Sequence, residues 1–494
     1  MLIDILYFLK NLKFSTHKTY LITKFNLVLI NKIKFFPKIL AVISLQIQNR
    51  TVYNYPPKVS EKNIWKTLLK LNSDPIAIIS QNFRELGETY TLQSFLVKKR
   101  FVFSRDPELF DYVLRKNQKN YEKSAIQTHV LGKYLGKGLL TNTGKNWLKQ
   151  RRLIQPNFSN KNIELLHQTM IDEINATIES QLKNETIDLY KMTNSLTFNI
   201  IAKTLFGNSI DYTQILRISD SITEIQKMFI KEVRKPFLMS WYKISGQLKK
   251  HLQLSEEMRT VFREIILKRQ SETGEFNDIL QNLLNSRYED SGEPMAMEQL
   301  IDEIIILFVA GHETSANALA FTLFLIENNK HEKQLLVKEI EDLGDDFLAL
   351  KTLFGNSKTM TIIKESLRLY PPAWIIDRVA LADDSFKGFS WEKGTIVEFL
   401  LYDMHRNPAD WKQPNSFVPE RFEDSDVKNK PYFPFGNGAR HCIGEHFAYM
   451  EMILFLRLFY KKYELELETK EMKTIALITL RPTELRGKIV PGSF

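Results

Sequence analysis

The chain has one cysteine, Cys442, in 494 residues. An internal disulfide is therefore excluded, and so is a structural zinc site built on two or more thiolates. A reducing compartment fits such a chain better than a secretory one, so the expected location is cytoplasmic. Long uncharged runs are missing from residues 1–50, where the longest is Ile39–Asn49, short of the ~20 apolar residues a membrane span needs. The small-residue cleavage site and smooth apolar core of a signal peptide are missing too. Acidic residues are scarce in the same segment. Eight lysines and arginines stand against Asp4 alone, so it carries +7 of the net +10. The rest of the chain is close to balanced and has no basic stripe with interleaved aromatics, which argues against a nucleic-acid partner. Residues 1–54 are read as a basic extension: a tail, sequence upstream of the true start, or a surface helix making peripheral membrane contact through residues 1–50. "YPPK", with Pro56 and Pro57, marks the start of the body, a single domain over 55–494.

Within the body the pattern is mainly helical with small sheets. "ETYTLQSF" (Glu88–Phe95), "RFVF" (Arg100–Phe103), "GTIVEFL" (Gly394–Leu400) and "IALITLRP" (Ile475–Pro482) read as strand pieces. After "SRDP", Asp106 can cap a helix that has Pro107 at its first position. From Asn160 to about Leu284 apolar residues recur at helical spacing. A long helix is expected over about Met297 to Asn328. Its run of residues 304–326 is long enough for a membrane span, but His312 and Glu313 fall near its centre at a cost of roughly a few kcal/mol each if charged, so a core helix is expected.

The lone thiol sits in "FPFGNGARHCIG", which gives F-x-x-G-x-R-x-C-x-G over Phe435, Gly438, Arg440, Cys442 and Gly444. Gly436 and Gly438 permit positive φ, so the turn can fold tightly beneath a flat group. Backbone N–H groups can then point at the sulfur. The apolar run after Gly444 is helical, and a helix N-terminus favours thiolate. Phe435 can wall off water, and Arg440 can pair with an anionic group. A buried structural cysteine, or a nucleophile with His441 or His446 as base, are the competing readings.

The stretch resembles the haem-binding loop of the cytochrome P450 family, whose cysteine thiolate is the proximal ligand of haem iron. The resemblance implies haem b (iron protoporphyrin IX) on Cys442, with Arg440 on a propionate. It implies the P450 fold, a helical body with haem between a long helix and the cysteine loop. "AGHET" (Ala310–Thr314) is similar to the family's distal helix. There Thr314 can bond back to the carbonyl of Ala310 and open the helix ladder. Ala310 and Gly311 would lie against the cofactor, and Glu313 with Thr314 would deliver protons. "ESLR" and "FVPERF" supply Glu365, Arg368 and Arg421, similar to a network that fixes the cysteine loop. "WLKQR" puts Trp147 and Arg151 on one helix face, similar to a propionate-binding pair, and Arg378 is a further propionate candidate. His405 is expected to be a packed structural histidine. "GKGLLTNTGKN" is one residue too long for a phosphate loop and has Asn146 at the required Ser/Thr.

The implied activity is haem-thiolate monooxygenation of an apolar substrate with O2. Substrate-facing candidates are Trp374, Ile375, Ile376, Ile478 and Thr479. The 52 residues after Cys442 hold no flavin fold and no cysteine cluster. Electrons from NAD(P)H are thus expected through a separate reductase, ferredoxin or flavodoxin, docking near Lys149, Arg152, Lys461 and Lys462. A monomer is expected. The rival readings are a peroxide-using or isomerising haem-thiolate enzyme and a non-catalytic haem sensor.

Overall fold

Ile304–Phe308 is an unbroken apolar run, and every residue in it is buried, as in a helix covered on all sides. It belongs to the helix Met297–Glu327. Among the described residues this is the one helix long and apolar enough to cross a membrane, and most of its apolar stretch is buried inside the protein. Its surface is matched by protein neighbours: Leu189–Phe206 runs along it, and Lys358–Leu369 and Glu445–Lys462 also pack on it. The structure, a computed structural model, describes residues 53–94, 97–207 and 209–492. From Tyr55 on the chain forms one unit. The readings of residues 1–50 lie outside the described residues.

Helices dominate, with four small sheets among the described residues. The largest has the strand order Thr89–Ser94, Val97–Ser104, Ile396–Leu400, Ile375–Ala380, Tyr121–Glu122. The Ile396–Leu400 strand is central, parallel to its neighbour at Val102↔Val397 and antiparallel at Arg378↔Val397. All five of its residues are buried, as a strand covered on both faces should be. Asp106 caps Pro107–Asp111 by accepting from the N–H groups of Glu108 and Leu109, after which the chain continues as a π-helical turn, Tyr112–Lys116.

Two expectations change here. "IALITLRP" is a hairpin, Lys473–Ala476 paired with Leu480–Thr483, and not one strand piece. Its turn closes through Leu477 N–H to the Thr479 carbonyl, 2.9 Å, with none of the Gly, Pro or Asn residues that announce a turn. The Trp374–Ile376 trio also does not share a pocket. Trp374 is buried in the core, its indole donating to the Leu477 carbonyl at 3.1 Å. The strand pleat then sends Ile375 and Ile376 to opposite faces, into different apolar clusters.

Candidate active site around Cys442

The cysteine turn is built from backbone bonds that only its glycines permit. Gly436 and Gly438 take φ of 77° and 68°. A Cβ on Gly438 would lie 1.9 Å from the Leu114 carbonyl oxygen, so no other residue fits. Cys442 N–H donates to the Phe435 carbonyl at 3.0 Å, and Gly436 N–H to that of Phe433 at 3.0 Å. Phe435 is half-buried, its ring 5.1 Å from that of Tyr449. The helix Glu445–Lys462 follows, capped by Gly444.

The Cys442 side chain is exposed, yet burial pushes its thiol up to about 11. The sulfur thus touches open volume while protein surrounds it at longer range. The Gly444 N–H and the Arg151 charge oppose the rise without cancelling it. Burial raises the free thiol's hold on its proton by more than these two groups lower it.

Behind the turn lies an ion network whose charged side chains are all paired. Arg368 grips Glu365 through two bonds, Nε to Oε2 at 2.7 Å and Nη2 to Oε1 at 2.8 Å, with both side chains fully buried. Arg421 Nε donates to Glu365 Oε1 at 3.0 Å. Arg368 also donates to the carbonyls of His405, Pro414 and Ser416. The His405 ring, held neutral by burial with its pKa pushed down to about 3, accepts from Phe433 N–H at 2.9 Å. One chain of bonds thus runs from the Lys358–Leu369 helix to the residue that opens the cysteine turn.

A second cluster is incomplete. Lys123, Arg378 and Arg440 lie near one another: the charges of Arg378 and Arg440 lower the proton affinity of Lys123, and that of Arg378 lowers the proton affinity of Arg440. Burial is the larger cause: it pushes Arg378 down to about 10 and Arg440 to about 9, and Lys123 well below its usual value. Their bonds go to neutral carbonyls: Lys123 to Leu140, Arg378 to Asp377, Arg440 to Leu139 and Asn142. Asp377 and Glu122 act on the cluster only at a distance, and Asp377 already accepts from Ser124 and Gln127. Burying cations without a partner is costly, so this cluster fits an anionic ligand. Trp147 is buried beneath Arg440, whose guanidinium carbon sits 3.8 Å from the ring centroid. Arg151 turns the other way, donating to the His441 carbonyl at 2.6 Å, so its bonds support the cysteine turn and not the cation cluster.

On the long helix, burial breaks at one strip. Val309, Gly311 and Thr314 are partly open and Ala310 is exposed, in the middle of an otherwise buried stretch. Thr314 donates to the Ala310 carbonyl at 2.8 Å, the back-bond expected from sequence. Glu313 is buried, and its Oε2 accepts from Gln226 at 2.7 Å. The missing Cβ of Gly311 would sit 3.0 Å from Ile201, so its small size serves packing against Leu189–Phe206. That differs from the expected clearance for a flat ligand. Ile478 is half-buried at the hairpin turn, and Thr479 beside it accepts from Asn317 of the long helix at 3.1 Å.

A family model described as Cytochrome P450 matches residues 56–486. The chain belongs to the cytochrome P450 family. Its curated relatives include a cyclooctat-9-en-7-ol 5-monooxygenase of Streptomyces melanosporofaciens, 27% identical, covering 73% of this chain and 79% of that protein. Cytochrome P450 4d2 of Drosophila melanogaster is 28% identical, covering 76% and 80%. The crystal structure of the cytochrome P450DA heme domain shares the fold, with a TM-score of 0.81 over 89% of this chain and 98% of that one, at 22% identity. As a P450, the chain is a haem-thiolate monooxygenase in the broad sense, an oxidoreductase that uses haem iron.

Lys123 and Gln226 were not legible in the sequence. Each is a polar residue in a helical or loop context with nothing local to distinguish it, and each gains its meaning from partners on distant segments. Of the expected docking cations, Lys149 and Arg152 are paired with Asp290 and Glu289, at 3.0 and 3.8 Å.

Proposed function

We propose that the protein inserts one oxygen atom of O2 into an apolar organic substrate, with haem b on Cys442 and electrons from NAD(P)H through a separate reductase or ferredoxin. The observation that carries this reading is the pairing of an accessible thiol in a glycine turn with three cations, Lys123, Arg378 and Arg440, whose hydrogen bonds among the described residues go only to carbonyls. Bound haem supplies oxygen activation and one-electron chemistry. Cys442 is the iron ligand. Lys123, Arg378 and Arg440 hold the propionates, whose two charges satisfy the cluster. Phe435 and Tyr449 keep water from the sulfur. The Glu365–Arg368–Arg421 network, through His405, fixes where the sulfur points. On the other face, Thr314 opens the helix ladder at Ala310 and holds water there, and Glu313 moves the proton. Ala310, Ile376 and Ile478 present apolar surface to the substrate, while Thr479 fixes the hairpin that carries Ile478.

The test is turnover of an apolar compound, found by its spin-state change on binding, by haem-loaded protein with NADPH and a ferredoxin pair. Product requiring both O2 and NADPH is expected, and T314A should divert several-fold more electrons to hydrogen peroxide. Product formed equally well without reductant would overturn the reading.

A further inference from the structure

Gln226 lies within the helix Tyr212–Arg234 and is half-buried. Its amide donates to Glu313 Oε2 at 2.7 Å. A carboxylate only accepts, so the bond also fixes which way the amide faces. Glu313 Oε1 has no hydrogen-bond partner among the described residues, and it is not among the fully buried atoms left unsatisfied. The carboxyl group therefore has one anchored oxygen and one that opens on free volume. Nothing on its own helix anchors it instead: Thr314 bonds Ala310, and His312 Nδ1 bonds the Phe308 carbonyl at 3.1 Å. The Gln226 helix is itself tied down nearby. Glu232 accepts from Lys133 and Tyr134, and Arg234 donates to the carbonyls of Asn72 and Ala476.

We infer that Gln226 is the positioning residue for proton delivery: by holding Oε2 of Glu313 it keeps Oε1 aimed at the open strip beside Thr314. Oε1 takes a proton from water, passes it into the site and returns to carboxylate, while Oε2 stays bonded to Gln226. The inference rests on the monooxygenase reading above. It also makes the proton path answer to the position of the Tyr212–Arg234 helix, since a shift of that helix moves the acid.

The experiment compares haem-loaded wild type, Q226L, E313Q and the double variant, reduced through a ferredoxin pair with no organic ligand added. O2 consumption, its solvent deuterium isotope effect and amide exchange over residues 222–230 and 309–317 are measured. Q226L should slow O2 consumption several-fold and change the isotope effect as E313Q does. The double variant should be no slower than E313Q, because the glutamine acts only through the acid. Amide exchange near residue 226 should rise several-fold in Q226L, which loses the bond, and stay near wild type in E313Q, whose amide oxygen can still accept from Gln226. Q226N, shorter by one methylene, should recover part of the rate if the amide finds the acid through a small helix shift. Wild-type rates and exchange in Q226L, or effects that add in full to those of E313Q, would overturn the inference while leaving the monooxygenase reading intact. A wild-type chain that takes up haem without thiolate ligation would remove both.

Discussion

Two ion clusters in this molecule, each with a buried arginine, use the same kinds of residue to opposite ends. Around Glu365, one carboxylate meets two guanidiniums, and nearly every donor has a partner within the protein. Around the buried Arg378, the half-buried Lys123 and Arg440 gather, and among the described residues all three bond only carbonyls. The first is finished by folding; the second is finished only by a ligand. Burial and charge alone do not separate structural ion networks from binding sites, because both clusters have both. Completeness separates them.

The largest effect comes from breaking the finished cluster. R368L leaves Glu365 buried with Arg421 alone and should cost about 3–5 kcal/mol, read as a large drop in Tm and in recovered haem protein. Next is Glu451, a buried carboxyl on the Glu445–Lys462 helix beside Ser315, with no charged group among the described residues acting on it. Burial pushes it up to about 8, from an ordinary value of 4.5. A raised folded-state pKa means stability present below pH 4.5 is lost as pH rises through 8. The loss should be on the order of 4 kcal/mol at most. E451Q should remove its share of this slope, so the gap between thermal scans at pH 5 and pH 8.5 should narrow in the variant, with Glu303, also pushed up to about 8, keeping part of it.

The unfinished cluster should respond with two signs. R440L relieves repulsion in the haem-free chain and should raise its stability by about 1 kcal/mol. The same change should weaken haem retention roughly tenfold, measured by transfer to apomyoglobin. If R440L destabilises the haem-free protein as R368L does, the distinction between the clusters fails. The smallest effect belongs to R421K, at the more exposed edge of the finished network. It should cost about 1 kcal/mol, with haem content unchanged.

What could be read from the sequence was what depends on local chemistry. Gly436 and Gly438 were legible because positive φ is a property of one residue, and Thr314 because its back-bond reaches only four residues along its own helix. The cap at Asp106 was legible for the same reason. The Glu365–Arg368 pair is local, but its burial and its link through His405 to Phe433 depend on segments that meet only in the fold. Lys123 and Gln226 had no local signal at all. The hairpin at Leu477–Thr479 was hidden because its turn closes against Trp374 and Asn317, not through turn-forming residues.

The central claim is that Cys442 binds haem iron as a thiolate even though burial makes the free thiol weakly acidic. The direct measurement is the absorption spectrum of haem-loaded, reduced protein under carbon monoxide, for wild type and C442A. The account predicts the red-shifted band of a thiolate–carbon monoxide complex in wild type and its loss in C442A. A wild-type spectrum without that band, or one that survives removal of the sulfur, would contradict it.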